Sequence, residues 1–247
     1  MLLTDKVAIV TGARSGIGRA IAMAFAAAGA SVVAADISDA SDIVLEMQTA
    51  GAEALAVHCD ISDPASVQLM IERTLDRFGG MDVLVNNAGI FPFSPVETLS
   101  VADWDRVFAV NARGTFLCSK AVIPIMRQRG AGKIINIGSS TFFQGLANSA
   151  AYVASKGAVI GFTRALAREL GAHNIQVNTL TPGLTRTDGV VGAGVTDEFF
   201  AHFAALQCLP RTETPRDIVG AAVFLASSGS DFMTGQIVNV DGGLNTY

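Results

Sequence analysis

The chain has 247 residues, half of them hydrophobic and 16% charged, with a formal net charge of −5. That length suits one large α/β domain whose sheet is covered on both faces. The acidic balance argues against nucleic acid or an anionic membrane as a partner, because both reward clustered Lys and Arg.

Cys59, Cys118 and Cys208 are far apart and contain no C-x-x-C pair, so a reducing, cytoplasmic setting without disulfides is expected. His58, His173 and His202 lack the spacing of a metal site, and no metal is expected. The opening MLLTDKVAIV has no basic n-region or cleavage pattern, so no signal peptide is expected. The long uncharged stretch from Ile134 to Ser155 is broken by Asn, Gln, Gly, Ser and Thr, which does not suit a membrane span.

Along the chain, Lys6–Val10, Ser31–Asp36, Ala54–Cys59, Met81–Asn86, Lys133–Gly138, Ile175–Leu180 and Gln236–Val240 are short apolar runs, mostly β-branched. Longer stretches with apolar residues at helical spacing lie between them, among them Gly16–Ala28, Pro64–Phe78 and Val101–Arg129. The alternation predicts βαβ units: one doubly wound, parallel, seven-stranded sheet with helices on both faces, in a single domain over 1–247. Ser62-Asp63-Pro64 offers a cap and a first-turn proline, Gly79-Gly80 a stop, and Pro124 a kink. The segment Thr185–Pro210 breaks the alternation. Gly189, Gly192 and Gly194 precede an apolar stripe of Phe199, Phe200, Phe203 and Leu206, a pattern that predicts a lid.

After the first strand comes Thr11-Gly12-Ala13-Arg14-Ser15-Gly16-Ile17-Gly18 and then an alanine-rich helix. Gly12 permits a tight turn, Gly16 lets backbone approach a phosphate, and Gly18 lets the helix lie close to the sheet. The helix N-terminus offers free N–H groups and a favourable dipole to a pyrophosphate. Asp36 ends the second strand, where a carboxylate binds the adenine ribose hydroxyls and repels the extra phosphate of NADP. Arg14 pulls the other way. Asp60, with Ile61 beside it, ends the third strand and is placed to meet the adenine. The expected cofactor is NAD rather than NADP.

Tyr152 and Lys156 are four residues apart and share a helical face. A phenol ionises near pH 10, and a neighbouring cation favours the phenolate and lowers that value.

These motifs in this order resemble the short-chain dehydrogenase/reductase family, built on a Rossmann fold. The matching residues are Thr11–Gly18, Asn86-Asn87-Ala88-Gly89, Asn111, Ser139, Tyr152, Lys156, Pro182-Gly183, Thr187 and Val240-Asp241-Gly242-Gly243. The resemblance implies Tyr152 as general acid/base and Lys156 as the group that lowers its pKa and binds the nicotinamide ribose. It implies Ser139 as hydrogen-bond partner of the reacting oxygen and Asn111 as holder of a water that links Lys156 to solvent. Asn87, Ala88 and Gly89 would support the cofactor, Pro182 and Gly183 would frame the nicotinamide, and Thr185 and Thr187 would also contact the cofactor. Members that use NADP usually carry a basic residue immediately before the middle glycine, where this chain has Ser15. A homotetramer is also implied, with the helices around Asn111 and Tyr152 as interfaces.

Ile90, Phe91, Phe93, Thr141, Phe142, Phe143 and Leu184 are expected to form an apolar, aromatic substrate wall. Around them, Thr141-Phe142-Phe143 and Thr181–Leu184 resemble the family's pyridoxal dehydrogenases. Gly89-Ile90-Phe91-Pro92 is similar to aryl secondary-alcohol dehydrogenases such as those acting on 1-phenylethanol. A small hydrophobic or aromatic alcohol or carbonyl is the expected substrate. The alternatives are a 3-oxoacyl thioester reductase and a non-catalytic NAD-binding sensor.

Overall fold

A strand buried on both faces needs no polar side, and β1 (Val7–Thr11) has none. Val7 and Ile9 enter one hydrophobic cluster, whereas Ala8 and Val10 enter the other. This follows from the two-residue period of a strand. The computed structural model describes residues 1–246. Its seven parallel strands run in the order β3-β2-β1-β4-β5-β6-β7. The others are β2 (Ser31–Asp36), β3 (Ala54–His58), β4 (Val83–Asn86), β5 (Gly132–Ile137), β6 (Ile175–Pro182) and β7 (Ile237–Val240).

One face is covered by α1 (Gly16–Ala27), α2 (Ser41–Thr49) and α10 (Pro215–Ala226), which bury Ile21, Phe25, Ile43, Met47, Ile218 and Leu225. The other is covered by α3 (Pro64–Phe78), α5 (Thr115–Arg129) and α7 (Ala150–Leu170), through residues such as Met70, Val122, Met126 and Leu166. Strand order reverses at β1, which pairs with both β2 and β4. A crevice at the carboxyl ends of these strands is where an open α/β sheet takes its ligand.

The local signals explain most boundaries. Asp63 caps α3 by accepting from Ala65 and Ser66, Pro64 occupies its first turn, and Gly79 ends it at φ 71°. The long helix expected over Val101–Arg129 is not one regular helix. It divides into α4 (Val101–Phe108), a π-helical turn over Ala109–Gly114, and α5. The irregular turn falls on Asn111, while Pro124 stays inside α5. Two short helices, α8 (Asp188–Gly192) and α9 (Asp197–Leu206), fill the segment after β6, and α6 (Thr141–Gln144) follows β5. Among the described residues no helix is long and apolar enough to cross a membrane.

Candidate active site

The glycine turn is built by mutual close approach. A Cβ on Gly12 would lie 2.8 Å from the Ala88 Cα, and one on Gly18 would run into the Gly12 carbonyl and the Asn87 side chain. Asn87 Nδ2 donates to the carbonyls of Thr11 and Gly12 at 2.9 and 3.1 Å. The Thr11 hydroxyl accepts from the Asn87 and Ala88 N–H groups at 3.0 and 3.1 Å. So the end of β4 is laced to the turn after β1. Ser15, extended at φ −145°, makes no side-chain cap on α1. The helix presents its N-terminus beside a cavity of about 430 Å³.

Gly12, Ser15, Gly16 and Ile17 line this cavity at the helix end, and Asp36, Asp60 and Ile61 line it beyond β2 and β3. Asn87, Ala88 and Gly89 form its edge at β4. This backbone-walled cradle, with a carboxylate at the end of β2, fits a dinucleotide. The Asp36 carboxylate is held by the N–H groups of Arg14 and Ser38 at 3.0 and 2.9 Å. The Arg14 side chain is exposed, does not line the cavity, and acts electrostatically on Asp39. Asp60 lines the cavity and also serves its own turn, accepting from the Ser62 N–H and hydroxyl.

At the other end, Ser139, Tyr152 and Lys156 share the cavity wall with Pro182, Gly183, Leu184, Thr185 and Thr187. Lys156 is buried on α7, and its Nζ donates to the Ile137 carbonyl at 2.7 Å, 5.7 Å from the Tyr152 ring centre. Burial pushes its pKa down to about 8. For Tyr152 the net direction is upward, because desolvation outweighs the Ser139 hydroxyl, which favours the phenolate. In the free protein the Ser139 hydroxyl favours the phenolate, while the Lys156 ammonium is held at the Ile137 carbonyl. Ser139 Oγ in turn accepts from Thr141 Oγ1 at 2.9 Å and Thr141 N at 3.2 Å.

Asn111 does not line the cavity. Its Oδ1 accepts from the Ile90 N–H at 2.9 Å, and its Nδ2 donates to the Ile90 carbonyl and the Ser155 hydroxyl. Ser155 donates to the Tyr152 carbonyl at 2.7 Å, so Asn111 clamps the β4 loop to the first turn of α7. Below the site a buried chain of side chains joins Ser119, Asn86, Asn136, Thr163 and Thr179.

The aromatic wall is only partly as expected. Ile90, Phe91, Phe93, Thr141 and Leu184 line the cavity, and Phe91 meets Tyr152 edge-on at 6.4 Å. Phe142 and Phe143 do not line it, because the turn of α6 sends Phe142 out against Gly157 and α7. Gln144 and Leu146, which the sequence reading missed, take that place with Val190, Val195, Phe199 and Phe203 from 185–210. Phe200 is instead buried beneath the Arg186 guanidinium, and Leu206 is exposed.

A family model described as enoyl-(acyl carrier protein) reductase matches residues 12–245. Full-length relatives agree with it. The chain is 41% identical to a 3-oxoacyl-[acyl-carrier-protein] reductase of Synechocystis sp., covering 98% of each chain. The chain belongs to the short-chain dehydrogenase/reductase family. Members bind a nicotinamide cofactor, so this is an oxidoreductase of that family. It is also 40% identical to a cis-4-hydroxycyclohexanecarboxylate dehydrogenase of Sinomonas cyclohexanicum, covering 97% of this chain and 96% of that one. A Beutenbergia cavernae structure, provisionally assigned as an NAD(P)-dependent gluconate 5-dehydrogenase with bound NADP at low occupancy, superposes with a TM-score of 0.93. It shares 41% identity over 98% of this chain and 97% of that one.

Proposed function

We propose that this short-chain dehydrogenase/reductase is an NAD-dependent alcohol dehydrogenase that interconverts a small hydrophobic or aromatic alcohol and its carbonyl. The observation that carries the reading is one continuous cavity with the glycine cradle and Asp36 at one end and Ser139, Tyr152 and Lys156 at the other. When bound, the nicotinamide supplies the hydride acceptor or donor. The chain's residues do the rest.

Gly12, Ser15, Gly16 and Ile17 with Asn87–Gly89 would hold the phosphates and ribose side, Asp36 would take the adenine ribose, and Asp60 and Ile61 would bound the adenine, while Gly18 packs behind the turn rather than on the cavity. Pro182, Gly183, Thr185 and Thr187 hold the nicotinamide end. Tyr152 keeps its proton at neutral pH, as its upward shift favours, and gives it to the carbonyl oxygen during reduction. In the oxidative direction its phenolate oxygen accepts the alcohol proton. Ser139 donates to the same substrate oxygen as charge develops on it. Lys156, held by the Ile137 carbonyl at the same end of the cavity, would bind the nicotinamide ribose. Asn111 fixes the first turn of α7.

The apolar wall of Phe91, Phe93, Leu184, Phe199 and Phe203 suits a compact apolar substrate. The Sinomonas relative's name, a dehydrogenase of a hydroxycyclohexane acid, gives a compact cyclic alcohol that also carries a carboxylate. NAD is favoured because Asp36 faces the cavity while Arg14 does not. The chain works as a single domain, with 185–210 as its lid. Free Cys59, Cys118 and Cys208 fit the cytoplasm, and exposed Val101, Trp104 and Phe116 on α4–α5 suit burial in a homotetramer. A 3-oxoacyl thioester reductase is the second reading, favoured by the name of the Synechocystis relative.

The test is absorbance of the reduced cofactor with purified protein. The panel is small secondary alcohols, 1-phenylethanol, pyridoxal and, in the reductive direction, a 3-oxoacyl thioester, each with NAD(H) and NADP(H). Turnover of an apolar alcohol, faster with NAD, is expected. Turnover confined to the thioester with NADPH would replace the proposal with the second reading.

A further inference from the structure

One buried carboxyl behind the cavity wall, Glu213, bonds two residues that line the cavity and takes no part in the proton transfer. Glu213 precedes α10, is 5% exposed, and reaches back to the stem of the 185–210 segment. Its Oε2 accepts from the Gly183 N–H at 3.2 Å, and its Oε1 is hydrogen-bonded to the Thr185 hydroxyl. Its main-chain oxygen accepts from the Arg186 N–H at 2.8 Å. The fit is close, since a Cβ on Gly183 would lie 2.7 Å from Oε2. Three of the five residues between β6 and α8 are thus held by one glutamate.

The surroundings offer a charge on Glu213 little relief. Asp217 of α10 and Asp241 after β7 face it, and both disfavour ionisation. Arg211 forms a two-bond pair with Asp217 at 2.6 and 2.8 Å. Arg186 is paired with Asp197 at 2.7 Å and lies over the Phe200 ring. Burial, the largest cause, pushes the Glu213 carboxyl up to about 7. The Thr185 hydroxyl has a single proton and a second acceptor in reach, the Gly183 carbonyl at 3.5 Å. An ionised Glu213 takes that proton as acceptor and leaves the Thr185 oxygen free to accept. A protonated Glu213 donates to Thr185 and frees the hydroxyl proton to point elsewhere.

We propose that Glu213 is a positioning residue that anchors the stem of the lid and sets whether the Thr185 hydroxyl, which lines the cavity, donates or accepts toward the dinucleotide. The second half rests on the dinucleotide reading of the cavity. Glu213→Gln keeps one acceptor and one donor at every pH and so imitates the protonated state. NADH affinity, read by fluorescence titration from about pH 5.5 to 8.5, should change at least about threefold in the wild type. The inflection should fall near pH 7. The Gln variant should lose the inflection near pH 7 and hold the wild-type low-pH value through it, keeping only the change toward pH 8 that Lys156 brings. Glu213→Ala removes both bonds, and in the free protein it should speed hydrogen exchange of residues 183–192 by about fivefold or more, while Gln does so less.

A wild-type inflection near pH 7 retained in the Gln variant, or a wild-type profile flat through that range, would overturn the Thr185 role. Unchanged exchange in both variants would overturn the anchor. Absence of NADH binding by the wild type at every pH would refute the cofactor reading, and the exchange comparison would still decide the anchor.

Discussion

The two ends of the cavity are made differently. At the cradle, Gly12 and Gly18 leave no room for a methyl group against neighbouring main chain, and the Asn87 amide and Thr11 hydroxyl lock the main chain of the two loops together. At the substrate end the wall is made of side chains from three separate elements: the loop after β4, α6 with the turn after it, and the segment 185–210. Each wall residue's direction depends on which face of a short helix it occupies. A site fixed by main-chain contact tolerates almost no substitution, whereas one fixed by side-chain direction is easily reshaped. This is a physical reason for one fold to keep its cofactor and change its substrate.

The comparison can be broken most forcefully at Gly18. Gly18→Ala forces a Cβ against the Gly12 carbonyl and the Asn87 side chain, so the turn after β1 and its tie to the end of β4 must give way. Its expected cost is about 1–3 kcal/mol of stability, with dinucleotide binding lost. Gly220→Ala is the matched control in the interior of α10, where an added Cβ meets nothing within 4 Å. It should stabilise the fold by about 0.5–1 kcal/mol. Thermal unfolding together with NADH titration reads both, and equal small effects would remove the close-approach account.

A smaller effect sharpens the other side. Phe203→Ala removes a cavity-facing ring and should raise KM about tenfold, near 1.4 kcal/mol, with less change in kcat. Phe142→Ala, next to Thr141 in sequence yet directed away from the cavity, should leave KM nearly unchanged. Kinetics with the turned-over alcohol decide, and a larger effect at Phe142 would reverse the placement.

The same contrast explains what the sequence revealed. The seven strands and their parallel arrangement were legible because strands buried on both faces read as continuous apolar runs, as Val7–Thr11 does. The glycine turn was legible because positive φ at Gly12 and Gly16 and close packing at Gly18 leave few residue choices. Phe142 and Phe143 were misplaced because periodicity does not say which way a four-residue helix points after a strand. Glu213 left no signal at all, since an acidic residue before Pro215 reads as an exposed turn, and its partners Gly183 and Thr185 are some thirty residues away. The division of Val101–Arg129 around Asn111 was equally hidden, because a π-helical turn keeps the helical pattern of side chains nearly intact.

The central claim is that the Tyr152 phenol carries the proton, and Tyr152→Phe tests it with the fold and cavity retained. NADH affinity should stay within about twofold of wild type, while kcat should fall about a hundred- to ten-thousand-fold in both directions. In the wild type, oxidation should rise with pH toward the raised Tyr152 pKa, as phenolate accumulates, and the residual rate of the variant should lack that rise. Turnover near the wild-type rate in a variant that binds NADH normally would contradict the account.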